Sequence, residues 1–194
     1  MMLDEGVLSF KPGEIVIVEY TSRSQAPLLF AKILETFGDE ILLVLDIVDI
    51  GFTFRKTLEI AGVGPADLDD VPVVKIGGKI TWGRMLAHFD VYTDPRIFIE
   101  KTENLVKKEF TSKRGVIIAF GTERVPIIHK DARRVSLCLM NCASEKLGNP
   151  DKTLVYFINR DTSERAFLGL MEDIATRVIL ASEDGVRVIK SLQE

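Results

Sequence analysis

Short, nearly continuous apolar runs recur along the chain, and amphipathic stretches separate them. Gly13 to Glu19, Ile41 to Val48, Val71 to Ile76, Gly115 to Gly121 and Thr153 to Ile158 are rich in Val, Ile and Leu and lack the alternation of a strand with one wet face. Strands of that kind are covered on both sides, as the inner strands of a parallel sheet are. The intervening segments carry helical spacing. Leu28, Leu29, Ala31, Ile33 and Leu34 form one apolar side of a helix ending near Gly38, and Thr53 to Ala61 is closed by Gly62 and Gly64. Pro95 opens a helix from Arg96 to Phe110 with Ile97, Ile99, Leu105 and Val106 as inward contacts. Asp131 to Lys146 stops at Gly148-Asn149-Pro150, and Ala166 to Ala175 is a last helix. The expectation is an α/β protein with three α/β/α layers and a mostly parallel central sheet. Asp184-Gly185, between Arg177 to Ala181 and Val186 to Lys190, adds an antiparallel hairpin at the C-terminal edge. Trp82 to Tyr92 fits neither period, while Gly77-Gly78 reads as a turn and Asp67, Asp69 and Asp70 as loop.

The 194 residues suffice for a full core, and no low-complexity or Pro/Gly-rich linker divides them, so residues 1–194 are expected to form one domain. No apolar run approaches the roughly 18 residues needed to cross a bilayer. The opening Met-Met-Leu-Asp-Glu-Gly is acidic where a secretory signal is basic, so a cytoplasmic, membrane-free setting is expected. A formal charge of −4 gives no global attraction to nucleic acid. Basic groups such as Lys107, Lys108, Lys113 and Arg114, or Lys130, Arg133 and Arg134, read as solvated helix ends. Cys138 and Cys142 share a helix face and read as buried thiols. With only His88 and His129 besides, they make a poor zinc set, and no metal is expected.

The segment from Phe10 to Leu34 has the layout of strand, phosphate-binding loop and helix. Such a loop follows G-x-x-x-x-G-K-[ST], with glycines admitting backbone N–H groups to the phosphates, lysine neutralising charge and the hydroxyl holding magnesium. Here those positions carry Tyr20, Gln25, Ala26 and Pro27. Tyrosine and glutamine resist glycine-only backbone angles, and alanine and proline supply neither charge nor hydroxyl. An ordinary triphosphate cradle is not expected.

Both ends of the chain resemble those of the RecA/KaiC-like ATPases. Lys11-Pro12-Gly13-Glu14-Ile15-Val16-Ile17-Val18 is similar to the segment that precedes their phosphate loop. Met171 to Leu180 followed by Val186 to Lys190 is similar to their closing helix, strand and basic hairpin. The chain also resembles an uncharacterised archaeal family catalogued as domain of unknown function 257. The ATPase resemblance implies a RecA/KaiC-like fold and, by its departures, a degenerate site. Where those proteins place a magnesium aspartate after the strand Val116 to Ile118, this chain has Ala119 and Phe120. Where KaiC-like proteins place an acid pair, it has Asp46 and Ile47. Phosphoryl transfer depends on positioned charge, so the expectation is a pseudo-ATPase without cofactor or catalytic residue, acting as a binding or regulatory subunit through self-association or a protein partner.

Ligands of open parallel sheets bind beyond the C-terminal strand ends. The candidate rim there comprises Tyr20, Thr21, Ser22, Arg23, Ser24, Gln25, Asp46, Asn159 and Arg160, with Asp49, Thr122, Glu123 and Asp161 nearby. One reading makes it an altered ligand or anion site, with Arg23 and Arg160 facing the anion, used by a sensor or enzyme. The other makes it a solvated loop rim with internal salt bridges. Asp46, an acid in an apolar strand, needs partners to remain charged.

Overall fold

The computed structural model describes residues 6–63 and 68–192. The strands are β1 (Ile15–Tyr20), β2 (Ile41–Ile47), β3 (Pro72–Ile76), β4 (Arg84–Phe89), β5 (Gly115–Phe120), β6 (Lys152–Asn159), β7 (Arg177–Ser182) and β8 (Gly185–Ser191). They form one sheet in the order β4-β3-β2-β5-β6-β1-β7-β8. Every neighbouring pair is parallel except β7 with β8. All residues of β1 are buried, as its uninterrupted apolar run requires.

The helices are α1 (Ala26–Phe37), α2 (Ile50–Ala61), α3 (Pro95–Glu109), α4 (Arg124–Ile128), α5 (Ala132–Ser144) and α6 (Arg165–Ile174). Leu29 and Phe30 of α1 and Phe54 and Leu58 of α2 pack on one sheet face with Val18, Val44, Ile118 and Phe157. Phe98 of α3 and Val135 of α5 pack on the opposite face over β2 and β3, and Phe167 and Met171 of α6 cover β1 there. The three layers follow from right-handed crossovers between parallel strands.

Four expectations need adjustment. Trp82 to Tyr92 contains β4, a parallel strand on β3 whose mixed exposure reflects its place at the sheet edge. Ile97 points outward at 44% exposure, while Phe98 is buried at 2%. The helix phase sets Pro95, Phe98 and Thr102 inward, three and four residues apart, so Ile97 falls off that stripe. Cys138 and Cys142 are free thiols, but each is only partly buried. The helix foreseen from Thr53 begins at Ile50. The turn residue Gly64 and the loop residue Asp67 lie outside the described residues. No helix among the described residues is long and apolar enough to cross a membrane.

Candidate functional site

The C-terminal strand ends carry two polar clusters. The first grows from the β2–α2 turn. Val48 and Asp49 both have positive φ, 48° and 66°, which is rare for a β-branched residue and reverses the chain sharply. The turn brings backbone N–H groups back onto Asp46, whose side chain is fully buried. Gly51 N–H donates to its Oδ1 at 2.8 Å and Phe52 N–H to Oδ2 at 3.3 Å. Trp82 Nε1–H donates to Oδ2 at 2.8 Å, and Lys75 Nζ at 2.9 Å. Lys75, also fully buried, is the register neighbour of Asp46 across the β2–β3 ladder and donates to Asp49 as well. Asp49 in turn accepts from the N–H groups of Lys79 and Ile80, at 3.0 and 3.1 Å. Gly78 makes this approach possible: at φ +73°, a Cβ there would lie 2.5 Å from Asp49 Oδ1. Burial pushes the Asp49 carboxyl up, but Lys75 and those two amides outweigh it and hold the group below its ordinary range.

The second cluster, at the ends of β1, β5 and β6, is built the opposite way. Glu19 is fully buried and Glu123 is 1% exposed, and neither has a hydrogen-bond partner of normal geometry among the described residues. The hydroxyls of Thr21 and Thr122 are equally without one. Arg160 stands 3.6 Å from Glu19, and Arg124 stands 3.6 Å from Glu123. Desolvation pushes Glu19 up to about 7; the Glu172 carboxyl adds to this and Arg160 opposes it. Desolvation also pushes Glu123 up to about 7, against the Arg124 charge and nearby backbone amides. Burial and the Glu123 charge raise the Tyr20 hydroxyl well above its usual range.

The rim residues expected from sequence meet only in part. Arg160 N–H donates to Tyr20 O at 3.0 Å, and Asn159 Nδ2 donates to Ser22 Oγ at 3.2 Å. Thr21 to Ser24 closes into a tight turn, with Ser24 N–H and Oγ both donating to Thr21 O. Ser22 N–H, an amide a bound anion would use, donates instead to Asp161 Oδ2 at 2.7 Å. That bond leads the effects holding Asp161 below the usual carboxylate range. Arg23 and Arg160 stand beside different carboxylates. Arg23 lies in solvent beside Glu183 at 3.8 Å, and Arg160 turns to Glu19. Gln25 caps α1 through no side-chain bond. Asp46 is three strand spacings from β1, roughly 14 Å, and belongs to the Lys75 cluster instead. Lys75 and Trp82 were missed as members of that cluster; the signal was a lysine inside the apolar run Pro72 to Ile76.

Behind the turn lies an aromatic knot. Phe120 stacks on Phe157 at 4.8 Å between centroids and meets Phe54 at 4.8 Å and Phe30 at 4.9 Å. Tyr20 closes it against Phe54 at 5.3 Å. All five rings are buried.

A family described as a Pyrococcus protein of unknown function, DUF257, matches residues 5–194. The chain belongs to the DUF257 family. Among solved structures, the DUF257 chain is similar to the PH0250 protein of Pyrococcus horikoshii OT3, with 25% identity, TM-score 0.80, and 95% of this chain and 90% of that one covered. It is also similar to the KaiC-like protein PH0186 of the same organism, at 13% identity and TM-score 0.57, covering 95% and 82%. The flagellar accessory protein FlaH of Methanocaldococcus jannaschii follows at 11% identity and TM-score 0.52, covering 94% and 80%. These likenesses establish the RecA/KaiC-like fold. No curated protein matches the chain.

Proposed function

We propose that this DUF257 chain is a RecA/KaiC-like protein that does not hydrolyse nucleotide and acts as a binding or regulatory subunit. The observation that carries the reading is the aromatic knot at Phe120. The position that the fold's ATPases give to a magnesium acid holds a phenyl ring packed against Phe30, Phe54 and Phe157. Magnesium needs oxygen ligands, and a ring in that place offers none. The Ser22–Asp161 bond supports the same reading, because an internal carboxylate already uses an amide of the loop and would repel a phosphate.

A subunit role is favoured by β8. Among the described residues this strand pairs with β7 alone, and Val188 and Ile189 on it are exposed. A free strand edge with apolar side chains is a template for pairing with another chain.

Isothermal titration of magnesium-ATP into the purified protein tests the hydrolysis half. We expect no saturable heat in the micromolar range; micromolar binding or any turnover would defeat the reading. Sedimentation of the wild type and of Ile189→Lys tests the other half. We expect a wild-type oligomer that the variant dissociates, and a wild-type monomer would remove self-association from the proposal.

A further inference from the structure

The face of the sheet opposite the aromatic knot contains a cavity of about 340 Å³ between the central strands and helices α3 and α5. That volume lies in the range of small-ligand pockets, about 300–1,000 Å³. The walls are apolar: Leu45 of β2, Ile117 and Ala119 of β5, Leu154 of β6, Phe98 of α3 and Leu139 of α5. Its presence explains an anomaly in the strands. Leu45, Ile117 and Tyr156 sit in the innermost strands yet are only partly buried, because α3 and α5 do not close over them.

The cavity is long. Its lining runs from Lys152, register neighbour of Gly115, to Thr122 beyond the end of β5. Seven residues of strand rise span about 23 Å. An apolar wall drawn out over that length matches an extended aliphatic chain.

Its two ends differ. At the Thr122 end the residue is 4% exposed and its hydroxyl has no hydrogen-bond partner among the described residues, a group that an aliphatic chain end leaves to water. At the other end stand Lys107, Lys146 and Lys152. Lys146 is neutralised by Glu103 at 2.7 Å, and Arg114 rather than a lysine is paired with Asp151, at 3.6 Å. Among the described residues, Lys152 donates to the carbonyls of Phe110 and Lys113. Among the described residues, Lys107 and Lys152 form no salt bridge with a carboxylate. Burial pulls the Lys152 ammonium below its usual range and the Asp151 charge only partly offsets this, so a ligand anion beside it would favour the charged form.

We infer that this cavity binds an aliphatic monocarboxylate, its chain lying along β5 and its carboxylate at Lys107 and Lys152. The inference is independent of the nucleotide reading, since the two sites occupy opposite faces of the sheet. The lysines supply charge recognition and the bore supplies the apolar contact that drives entry.

Titration of the full chain with dodecanoate, below its micellar concentration, tests this. We expect saturable binding with one site, and at least tenfold weaker binding of dodecyltrimethylammonium, which has the same chain and the opposite charge. Lys152→Met should weaken dodecanoate binding about tenfold at low salt, while loss of its bonds to Phe110 and Lys113 lowers the unfolding midpoint only slightly and equally with and without ligand. Ala119→Leu, which extends a side chain into the bore, should abolish binding; if that variant does not fold, the Lys152→Met result and the charge comparison decide alone. No saturable binding, or equal binding of the two head groups, would overturn the inference.

Discussion

The same strands build both faces of the sheet, yet the faces are finished differently. Ile118 and Phe120 of β5 point to the α1/α2 side and are fully buried, Phe120 within a knot of rings. Ile117 and Ala119, their alternating neighbours, line a cavity on the α3/α5 side. One face is filled by packed rings, and the other has kept open space. Alternation along a strand makes this division available, because each residue can be changed for one face without touching the other. A parallel contrast holds at the strand ends, where Asp46 accepts from four donors while Glu19 and Glu123 have none of normal geometry among the described residues. Satisfied buried charge fixes a structure, whereas unsatisfied buried charge makes it sensitive to pH.

The sharpest way to break the comparison is Phe120→Ala. Removing a buried ring that touches three others should cost about 3–5 kcal/mol in urea unfolding. A loss below about 1 kcal/mol would show that the knot is not tightly packed. Lys75→Met should cost roughly 3 kcal/mol, because it leaves the buried Asp46 carboxylate and its neighbour Asp49 without their cation. A near-neutral result would mean that backbone and Trp82 donors alone hold Asp46.

Glu123→Gln sharpens the contrast between the clusters. The folded protein keeps the Glu123 proton up to about pH 7, while the unfolded chain releases it near 4.5. The raised carboxyl therefore leaves stability intact below 4.5 and lowers it as pH climbs to about 7, at most by about 1.4 kcal/mol per unit. Thermal unfolding should show Glu123→Gln more stable than wild type at pH 8 and level with it near pH 4.5. Equal difference at both values would contradict the account. The smallest effect is expected from Ala119→Leu. Overfilling a closed core costs about 1–3 kcal/mol, but here the added side chain enters open space, so stability should change by less than about 1 kcal/mol.

How far the sequence reveals these regions depends on how local their cause is. The runs at Ile15 to Glu19 and Gly115 to Gly121 declare buried parallel strands because burial on both faces removes alternation. The closing hairpin is legible in Asp184-Gly185 for a similarly local reason. Strand β4 is not, since an edge strand such as Arg84-Met-Leu-Ala-His-Phe answers to one neighbour and partial solvent. Lys75 stands out within an apolar run, but its partner Asp46 lies 29 positions away and only the fold brings them together. Ile97 and Phe98 are equally apolar, and only the rotation of α3 against the sheet decides which is buried. The rim from Tyr20 to Gln25 is legible as an altered loop, but its turn onto Asp161 joins residues 139 apart. The cavity has no signature of its own, because it is the gap between elements that are each ordinary.

Amide chemical-shift mapping during addition of magnesium-ATP tests the central claim most directly, since it reads the loop residue by residue. The account predicts that the amides of Thr21, Ser22, Arg23, Ser24 and Gln25 stay in place, with Ser22 still bonded to Asp161. Saturable shifts confined to those amides would contradict it, because they would show a phosphate seated where the carboxylate and the aromatic knot are said to have closed the site.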